Sequence, residues 1–186
     1  MKVSAVLLAG GKSRRMGQDK ATILFRDRPL WQHQLNLLRN LEPEQILISA
    51  QADPVWRPAD VEFVADSQPS RGPLTGIAAA LSRTTSDRLL ALAIDMPFMT
   101  AEYFDKLFQQ TLPGRGIVPM IDNRAEPMAA IYPRDAHHEM ASALSGNDFS
   151  LQSVIQKLIA AGRMRPLEVA PAEQSFFRNL NEPQDL

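Results

Sequence analysis

The feature of this sequence that most restricts its fold is the alternation of short apolar runs with longer amphipathic segments. Four runs in the first half have the length and β-branched content of strands, at 3–9, 45–50, 61–65 and 89–94. Apolar strands of this kind, separated by helices, are typical of a parallel sheet that is covered on both faces. The sequence therefore predicts a three-layer α/β domain with a mostly parallel central sheet.

The segments between these runs have the spacing and the end signals of helices. Helices predicted over 29–41 and 73–82 begin with proline, which is tolerated in the first turn because no helical partner is lost there. Thr100 is a suitable N-cap for a third helix that ends at Thr111. These elements complete a β-α-β progression through the first half of the chain.

The second half is less regular but continues the same pattern. Strands are predicted at 117–120 and 128–132, and Ser150 caps a helix whose apolar residues repeat at helical spacing. The order of these strands in the sheet stays open. Because the prolines are scattered and no linker or repeat interrupts the chain, residues 1–186 are expected to form a single domain.

Charge and cysteine content exclude several classes of function. Lys and Arg number 20 and Asp and Glu 21, for a formal net charge of −1, so no overall basic field exists to hold nucleic acid or a membrane. The chain has no cysteine, which excludes disulfides, thiolate metal sites and a cysteine nucleophile. The first apolar run stops at Gly10, too early to span a bilayer, and is interpreted as a strand of a cytoplasmic protein.

A glycine-rich basic loop follows the first strand, from Gly10 to Lys20. Its main-chain amides and its lysine and arginine side chains suit a polyphosphate, although an ordinary exposed loop is the alternative. It is not a P-loop, because Val6 stands where that motif needs its first glycine. The dinucleotide fingerprint also fails, because Gly10 and Gly11 are adjacent and the third glycine is missing.

Carboxylates follow two other strands at their carboxyl ends, where open α/β sheets bind ligands. Asp95 comes directly after the fourth strand, and it is a candidate Mg²⁺ ligand or alternatively the cap of a turn. Asp66 follows the third strand, facing the same crevice or making a local turn. Gly72 and Gly76 lie at the start of the second crossover helix, where they would let the backbone approach a nucleobase or ribose or would simply form the loop that starts the helix. His33 lies in the first predicted helix without partners at metal-ligand spacing, and it is expected to have an ordinary surface or packing role.

Several of these segments together resemble a known family. Residues 8–17 read LAGGKSRRMG and are followed by Asp19 and Lys20, and further similar blocks occur at 29–33, 72–76, 95–98 and 179–183. The combination resembles the MobA-like NTP transferases, specifically the molybdenum cofactor guanylyltransferases, over essentially the whole chain. The resemblance implies a three-layer Rossmann-like nucleotidyltransferase fold, with residues 1–186 as one nucleotidyltransferase domain.

The resemblance also implies roles for individual residues. Those expected to contact the nucleotide or its phosphates are Leu8, Ala9, Gly10, Gly11, Arg14, Lys20 and Asp66. Asp95 would hold Mg²⁺, and Asn179 and Asn181 would lie near molybdopterin. Ser49 stands where the family often has asparagine, so its contact with the nucleotide is left open.

The implied reaction transfers GMP from GTP to the terminal phosphate of molybdenum-molybdopterin and releases pyrophosphate. Relatives that use CTP tend to have alanine at the position of Gly10, so glycine favours the larger purine. The alternatives are a cytidylyltransferase, a nucleotidyltransferase for another small phosphorylated acceptor, or a non-catalytic nucleotide-binding cofactor chaperone. A molybdoenzyme client or a cofactor-delivery protein is an expected partner.

Overall fold

A computed structural model describes residues 2–10, 19–66 and 69–180 of the chain. The strands are β1 Ser4–Leu8, β2 Leu24–Phe25, β3 Arg28–Pro29, β4 Gln45–Ala50, β5 Glu62–Ala65, β6 Arg88–Ala93, β7 Gly116–Ile121, β8 Arg124–Ala125, β9 Ala129–Pro133 and β10 Met164–Glu168. The α-helices are α1 Leu30–Asn40, α2 Pro73–Arg83, α3 Ala101–Gln110, α4 His137–Ser145 and α5 Leu151–Ala160. Short 3₁₀ turns occupy Lys20–Thr22, Arg134–Ala136 and Pro171–Phe177. No described helix is long and apolar enough to cross a membrane.

The central sheet has the strand order β10-β7-β9-β6-β1-β4-β5, with β8 paired to β7. The pairs β6–β1, β1–β4, β4–β5 and β7–β10 are parallel, whereas β9 runs antiparallel to both of its neighbours. Strand β9 therefore joins two parallel groups that point the same way. The prediction of a mostly parallel α/β sheet is confirmed.

Two apolar clusters cover the two faces of this sheet. In β1, Ala5 and Leu7 pack into one cluster with α1 and α3, and Val6 and Leu8 pack into the other with α2, α4 and α5. Successive strand residues point to opposite faces, and here both directions are buried. This explains why the strands read as continuous apolar runs rather than as an alternating pattern.

The strand register brings the predicted ligand-binding positions to one edge of the sheet. Leu8 is paired with Ser49 on one side and with Ala93 on the other, and Ala50 is paired with Ala65. The carboxyl ends of β1, β4, β5 and β6 are therefore aligned at the same edge of the sheet. Short strands β2, β3 and β8 and the edge strand β10 are elements that the sequence patterns did not predict.

Strands β2 and β3 are joined by a two-residue turn that carries backbone strain. Arg26 and Asp27 have φ angles of 50° and 64°, the positive values that a type I′ turn requires. This conformation costs a non-glycine residue about 1–2 kcal/mol, although asparagine and aspartate tolerate it better than others. A glycine normally occupies the second of these positions.

We expect Asp27→Gly to raise the free energy of unfolding by about 0.5–1 kcal/mol, because relief of the turn strain exceeds the extra freedom of glycine in the unfolded chain. Urea unfolding measures the change. Asp105→Gly, at an exposed position of α3, is the control and should lower stability by a few tenths of a kcal/mol, roughly the difference in helix propensity between aspartate and glycine. A loss of stability in Asp27→Gly would show that the carboxylate stabilises the turn.

Candidate active site

A cavity of about 250 Å³ opens at the carboxyl edge of the sheet, between the ends of β1, β4, β5 and β6 and the start of α2. Its lining residues are Leu8, Ala9, Gly10, Asp19, Lys20, Ser49, Asp66, Gly72, Pro73, Gly76, Ala93, Ile94, Asp95 and Met128. This is the crevice in which open α/β sheets bind ligands.

One corner of the cavity is packed so closely that a Cβ at either of two glycines would displace a neighbouring side chain. A Cβ atom on Gly10 would lie 2.5 Å from Oδ2 of Asp66, and one on Gly76 would lie 2.7 Å from Oγ of Ser49. The Ser49 hydroxyl donates a hydrogen bond to Oδ1 of Asp66. Gly10 and Gly76 therefore leave space that the side chains of Ser49 and Asp66 occupy.

Asp66 is a buried carboxyl group at this corner. Burial raises its pKa above the ordinary value, and the hydrogen bond from Ser49 offsets part of that rise. Its backbone amide also donates to the carbonyl of Ala50, over 2.9 Å, which ties the end of β5 to the end of β4. The side chain is thus an acceptor held in place inside the pocket rather than a local turn residue.

We expect Asp66→Asn to raise the melting temperature at neutral pH, because it removes a carboxylate whose charge is costly to bury. Since the folded pKa is raised, the penalty is present above that pKa and disappears as the pH falls towards the ordinary carboxyl value. Melting curves from pH 7 to pH 3 should show the advantage of the variant shrinking. A constant or growing advantage at low pH would contradict this assignment.

Lys20 and Asp95 meet across the other end of the cavity. Nζ of Lys20 lies 3.0 Å from Oδ2 of Asp95, and each side chain is 20% exposed. Asp19 orients Lys20, because its Oδ1 accepts the amide of Ala21 over 3.0 Å and caps the 3₁₀ turn that begins at Lys20. The indole of Trp56 donates to the second oxygen of Asp19, also over 3.0 Å. Because both side chains are mostly shielded from water, the attraction between their charges is strong. Both charged groups still face the cavity, where an anion could compete with Asp95 for Lys20.

The backbone around Asp95 is held from two directions. The Asp95 carbonyl accepts the amide of Leu180 over 2.8 Å, so the end of the described chain returns to this site. From α1, Gln34 donates to the Ala93 carbonyl and His33 bonds the Pro97 carbonyl, each over 3.0 Å. His33 is partly buried and also packs edge to face against Phe25, a structural role consistent with the predicted surface or packing role. The two hydrogen bonds fix the segment on either side of Asp95.

Most of the residues predicted for the site line this one cavity. They are Leu8, Ala9, Gly10, Lys20, Ser49, Asp66 and Asp95. Asn179 is exposed and does not line the cavity, but it precedes Leu180, which bonds Asp95. Gly11, Arg14 and Asn181 lie outside the described residues.

Some side chains that shape the site have no obvious signal in the sequence. Trp56 lies in the loop after β4, and only the fold brings it to Asp19. Gln34 does carry a signal, because a buried polar residue interrupts the apolar stripe of α1. Met128 reaches the cavity because β9 runs antiparallel beside β6, a pairing that the sequence pattern left open.

The acidic side chains fit a metal held jointly with phosphate rather than by protein alone. Within the described ranges, no group of three or more His, Asp or Glu side chains is arranged to hold a metal ion. Asp95 supplies one hard oxygen donor at the cavity wall. Mg²⁺ prefers one or two protein carboxylates together with phosphate oxygens and water, so this donor set fits Mg²⁺ bound with a nucleotide.

Comparisons with solved structures relate the fold to nucleotidyltransferases. Molybdopterin-guanine dinucleotide biosynthesis protein A from Archaeoglobus fulgidus superposes with a TM-score of 0.78 at 23% identity, over 98% of this chain and 94% of that one. The 2-C-methyl-D-erythritol 4-phosphate cytidylyltransferase from Thermus thermophilus gives a TM-score of 0.72 at 16% identity, over 100% and 95% of the two chains. At these identities the likeness concerns the fold, and it confirms the Rossmann-like nucleotidyltransferase architecture.

Sequence comparison gives the family. A probable molybdenum cofactor guanylyltransferase from Opitutus terrae is 33% identical over 186 aligned residues, covering 98% of this chain and 92% of that protein. A molybdenum cofactor guanylyltransferase from Syntrophotalea carbinolica is 30% identical, covering 98% and 88%. The model of the MobA-like NTP transferase domain matches residues 5–163. The chain therefore belongs to the MobA-like NTP transferase family.

Proposed function

We propose that this protein transfers GMP from GTP to the terminal phosphate of molybdenum-molybdopterin, releasing pyrophosphate and forming the guanine dinucleotide cofactor. The observation that carries the proposal is the single cavity that joins a glycine-lined corner at Asp66 to the Lys20–Asp95 pair. The first end suits a nucleoside and the second suits its phosphates. The names of the relatives at 30–33% identity agree with this assignment.

In the proposed reaction, an oxygen of the acceptor phosphate attacks the α-phosphorus of GTP. A new phosphorus–oxygen bond forms, the bond between the α-phosphorus and the bridging oxygen to the β-phosphate breaks, and pyrophosphate leaves with that electron pair. The ionised acceptor phosphate needs no side-chain base. Catalysis then rests on positioning and on charge stabilisation at the reacting phosphates.

Lys20 would contact the phosphates of GTP directly, and Asp95 would act on them through Mg²⁺. Phosphate oxygens compete with Asp95 for the ammonium group of Lys20, and a GTP molecule in the cavity would draw Lys20 towards its phosphates. Asp95 would then hold Mg²⁺. When bound, Mg²⁺ neutralises charge on the transferring phosphoryl group and on the leaving pyrophosphate. Arg14 is proposed as a further cationic partner.

Gly10 supports GTP over CTP through the family resemblance, in which the relatives that use CTP tend to have alanine at this position. In the structure a Cβ at Gly10 would lie 2.5 Å from Oδ2 of Asp66, so glycine lets the backbone and that carboxylate lie side by side at the cavity wall. Cytidylyl transfer is the second candidate, because the Thermus thermophilus cytidylyltransferase shares the fold. A nucleotide-binding chaperone would bind GTP without releasing pyrophosphate, so a pyrophosphate-release assay with GTP, Mg²⁺ and molybdenum-molybdopterin tests the enzymatic proposal directly.

We expect GTP with Mg²⁺ to raise the melting temperature more than CTP or ATP at equal concentration. A ligand that binds only the folded state at about 100 times its Kd stabilises that state by about 2.7 kcal/mol. Thermal-shift curves with each nucleotide measure the effect. Equal shifts for all three would overturn the assignment of the base and leave the phosphate site intact.

A further inference from the structure

A second cleft, of about 580 Å³, lies beside the segment that follows Asp95. It is formed by the β2–β3 hairpin, α1, the first residues of α3 and the stretch around Arg178. Its lining and the lining of the nucleotide cavity have no residue in common. Its volume falls within the range of small-molecule sites, roughly 300–1,000 Å³.

Three arginines from two distant parts of the chain line this cleft, and two of them lie within cation–π range of aromatic rings. The guanidinium carbon of Arg26 lies 5.1 Å from the ring centroid of Phe25, and that of Arg178 lies 5.4 Å from the centroid of Phe98. Phe25 and Phe98 pack edge to face at 5.3 Å. Arg28 lies on the same hairpin. We call Arg26, Arg28 and Arg178 the arginine platform.

The platform has no matching internal acid. Within the described part of the chain, none of its three side chains forms an ion pair or a hydrogen bond to another residue. The cleft lining contains one acidic residue, Glu102, whose carboxylate is engaged by its own backbone and by Thr100. In a protein with a net charge of −1, this cleft therefore concentrates positive charge.

The charges of the platform also act on a neighbouring side chain of the cleft, His33. The pKa of His33 is lowered, first by burial and further by the charges of Arg26 and Arg28. The positive field thus extends into the cleft wall.

We propose that the arginine platform binds the phosphate group of a small molecule at a site separate from the nucleotide cavity. Arginine pairs with phosphate through parallel N–H bonds, and the cation–π contacts with Phe25 and Phe98 favour placing two of the guanidinium groups at the cleft wall. Asn36 and Asn40 add amide groups, and Phe176 adds apolar surface for the rest of an organic phosphate. The cleft size favours a small ligand over an extended peptide.

The test is a titration of the ¹⁵N-labelled full chain with inorganic phosphate at constant ionic strength, followed through arginine side-chain Nε–H signals in NMR spectra. We expect the signals of the platform to shift together, and Arg28→Gln to weaken phosphate binding at least fivefold. Ribose 5-phosphate, titrated in parallel, distinguishes free phosphate from an ester: tighter binding of the ester shows use of the apolar surface, and equal binding shows phosphate recognition alone.

Arg115→Gln is the matched control, because Arg115 is exposed and lies outside the cleft. Equal weakening by Arg115→Gln and Arg28→Gln would show diffuse charge screening and overturn the proposal. Tighter binding of pentaglutamate than of either phosphate would assign the cleft to an acidic protein partner instead. The titration is repeated with Lys20→Met, which removes the phosphate contact proposed for the nucleotide cavity. Phosphate binding at the platform should be unchanged in this variant, so the result tests the platform separately from the proposed GMP transfer.

Discussion

Asp95→Asn should lower the rate of GMP transfer by about 10²–10³, the usual loss when one electrostatic element of a phosphoryl-transfer or oxyanion site is removed. The amide keeps the shape of the side chain but loses the charge proposed to hold Mg²⁺. Folding should persist, because the hydrogen bond from Leu180 uses the backbone carbonyl of Asp95 and not its side chain. The measurements are turnover at saturating GTP and Mg²⁺ and a melting curve.

Asp105→Asn is the control for this experiment, since it makes the same chemical change at an exposed position of α3. Turnover close to wild type in Asp95→Asn would exclude Asp95 as an essential metal ligand, and a loss of folding would indicate that it stabilises a turn. Lys20→Ala provides a contrast, because it should weaken GTP binding as well as the chemical step. Unchanged GTP affinity in that variant would contradict the proposed contact between Lys20 and the nucleotide phosphates.

Gly10→Ala should lower kcat/KM for GTP by about 5- to 150-fold, the equivalent of the roughly 1–3 kcal/mol that overpacking costs. The new methyl group would lie 2.5 Å from Oδ2 of Asp66, so either the backbone after β1 or the carboxylate must move. Both belong to the cavity wall. Because the smaller pyrimidine needs less room, use of CTP should fall less than use of GTP in a direct competition assay.

Gly146→Ala is the matched control, because a Cβ at Gly146 has no neighbour closer than 3.5 Å in the described part of the chain. It should leave both kcat/KM values unchanged. If Gly10→Ala kept its full preference for GTP, the argument from crowding at Asp66 would be wrong. A melting temperature close to wild type would place the effect in the binding site rather than in overall stability.

Local patterns predicted the first half of the fold well. The runs that became β1, β4 and β6 are mostly buried on both faces, so their apolar character is continuous and easy to detect. Strand β5 is a partly exposed edge strand, and its short apolar run was still detected. Strand β10 was missed because it is an edge strand whose residues Arg165, Pro166 and Glu168 have little apolar character. The antiparallel position of β9 depends on pairing with β6, which no local pattern specifies.

The sequence by itself indicated the family, the α/β class and three candidate residues. Asp66 and Asp95 stand directly after apolar strands, and Lys20 ends the glycine-rich basic loop that carries the family resemblance. Only the tertiary structure decided which of these side chains meet. The contact between Lys20 and Asp95 spans 75 positions in the chain, and Ser49 bonds Asp66 because β4 and β5 are adjacent. Such contacts depend on strand order and on packing between layers. The spacing of residues along the chain specifies neither of these.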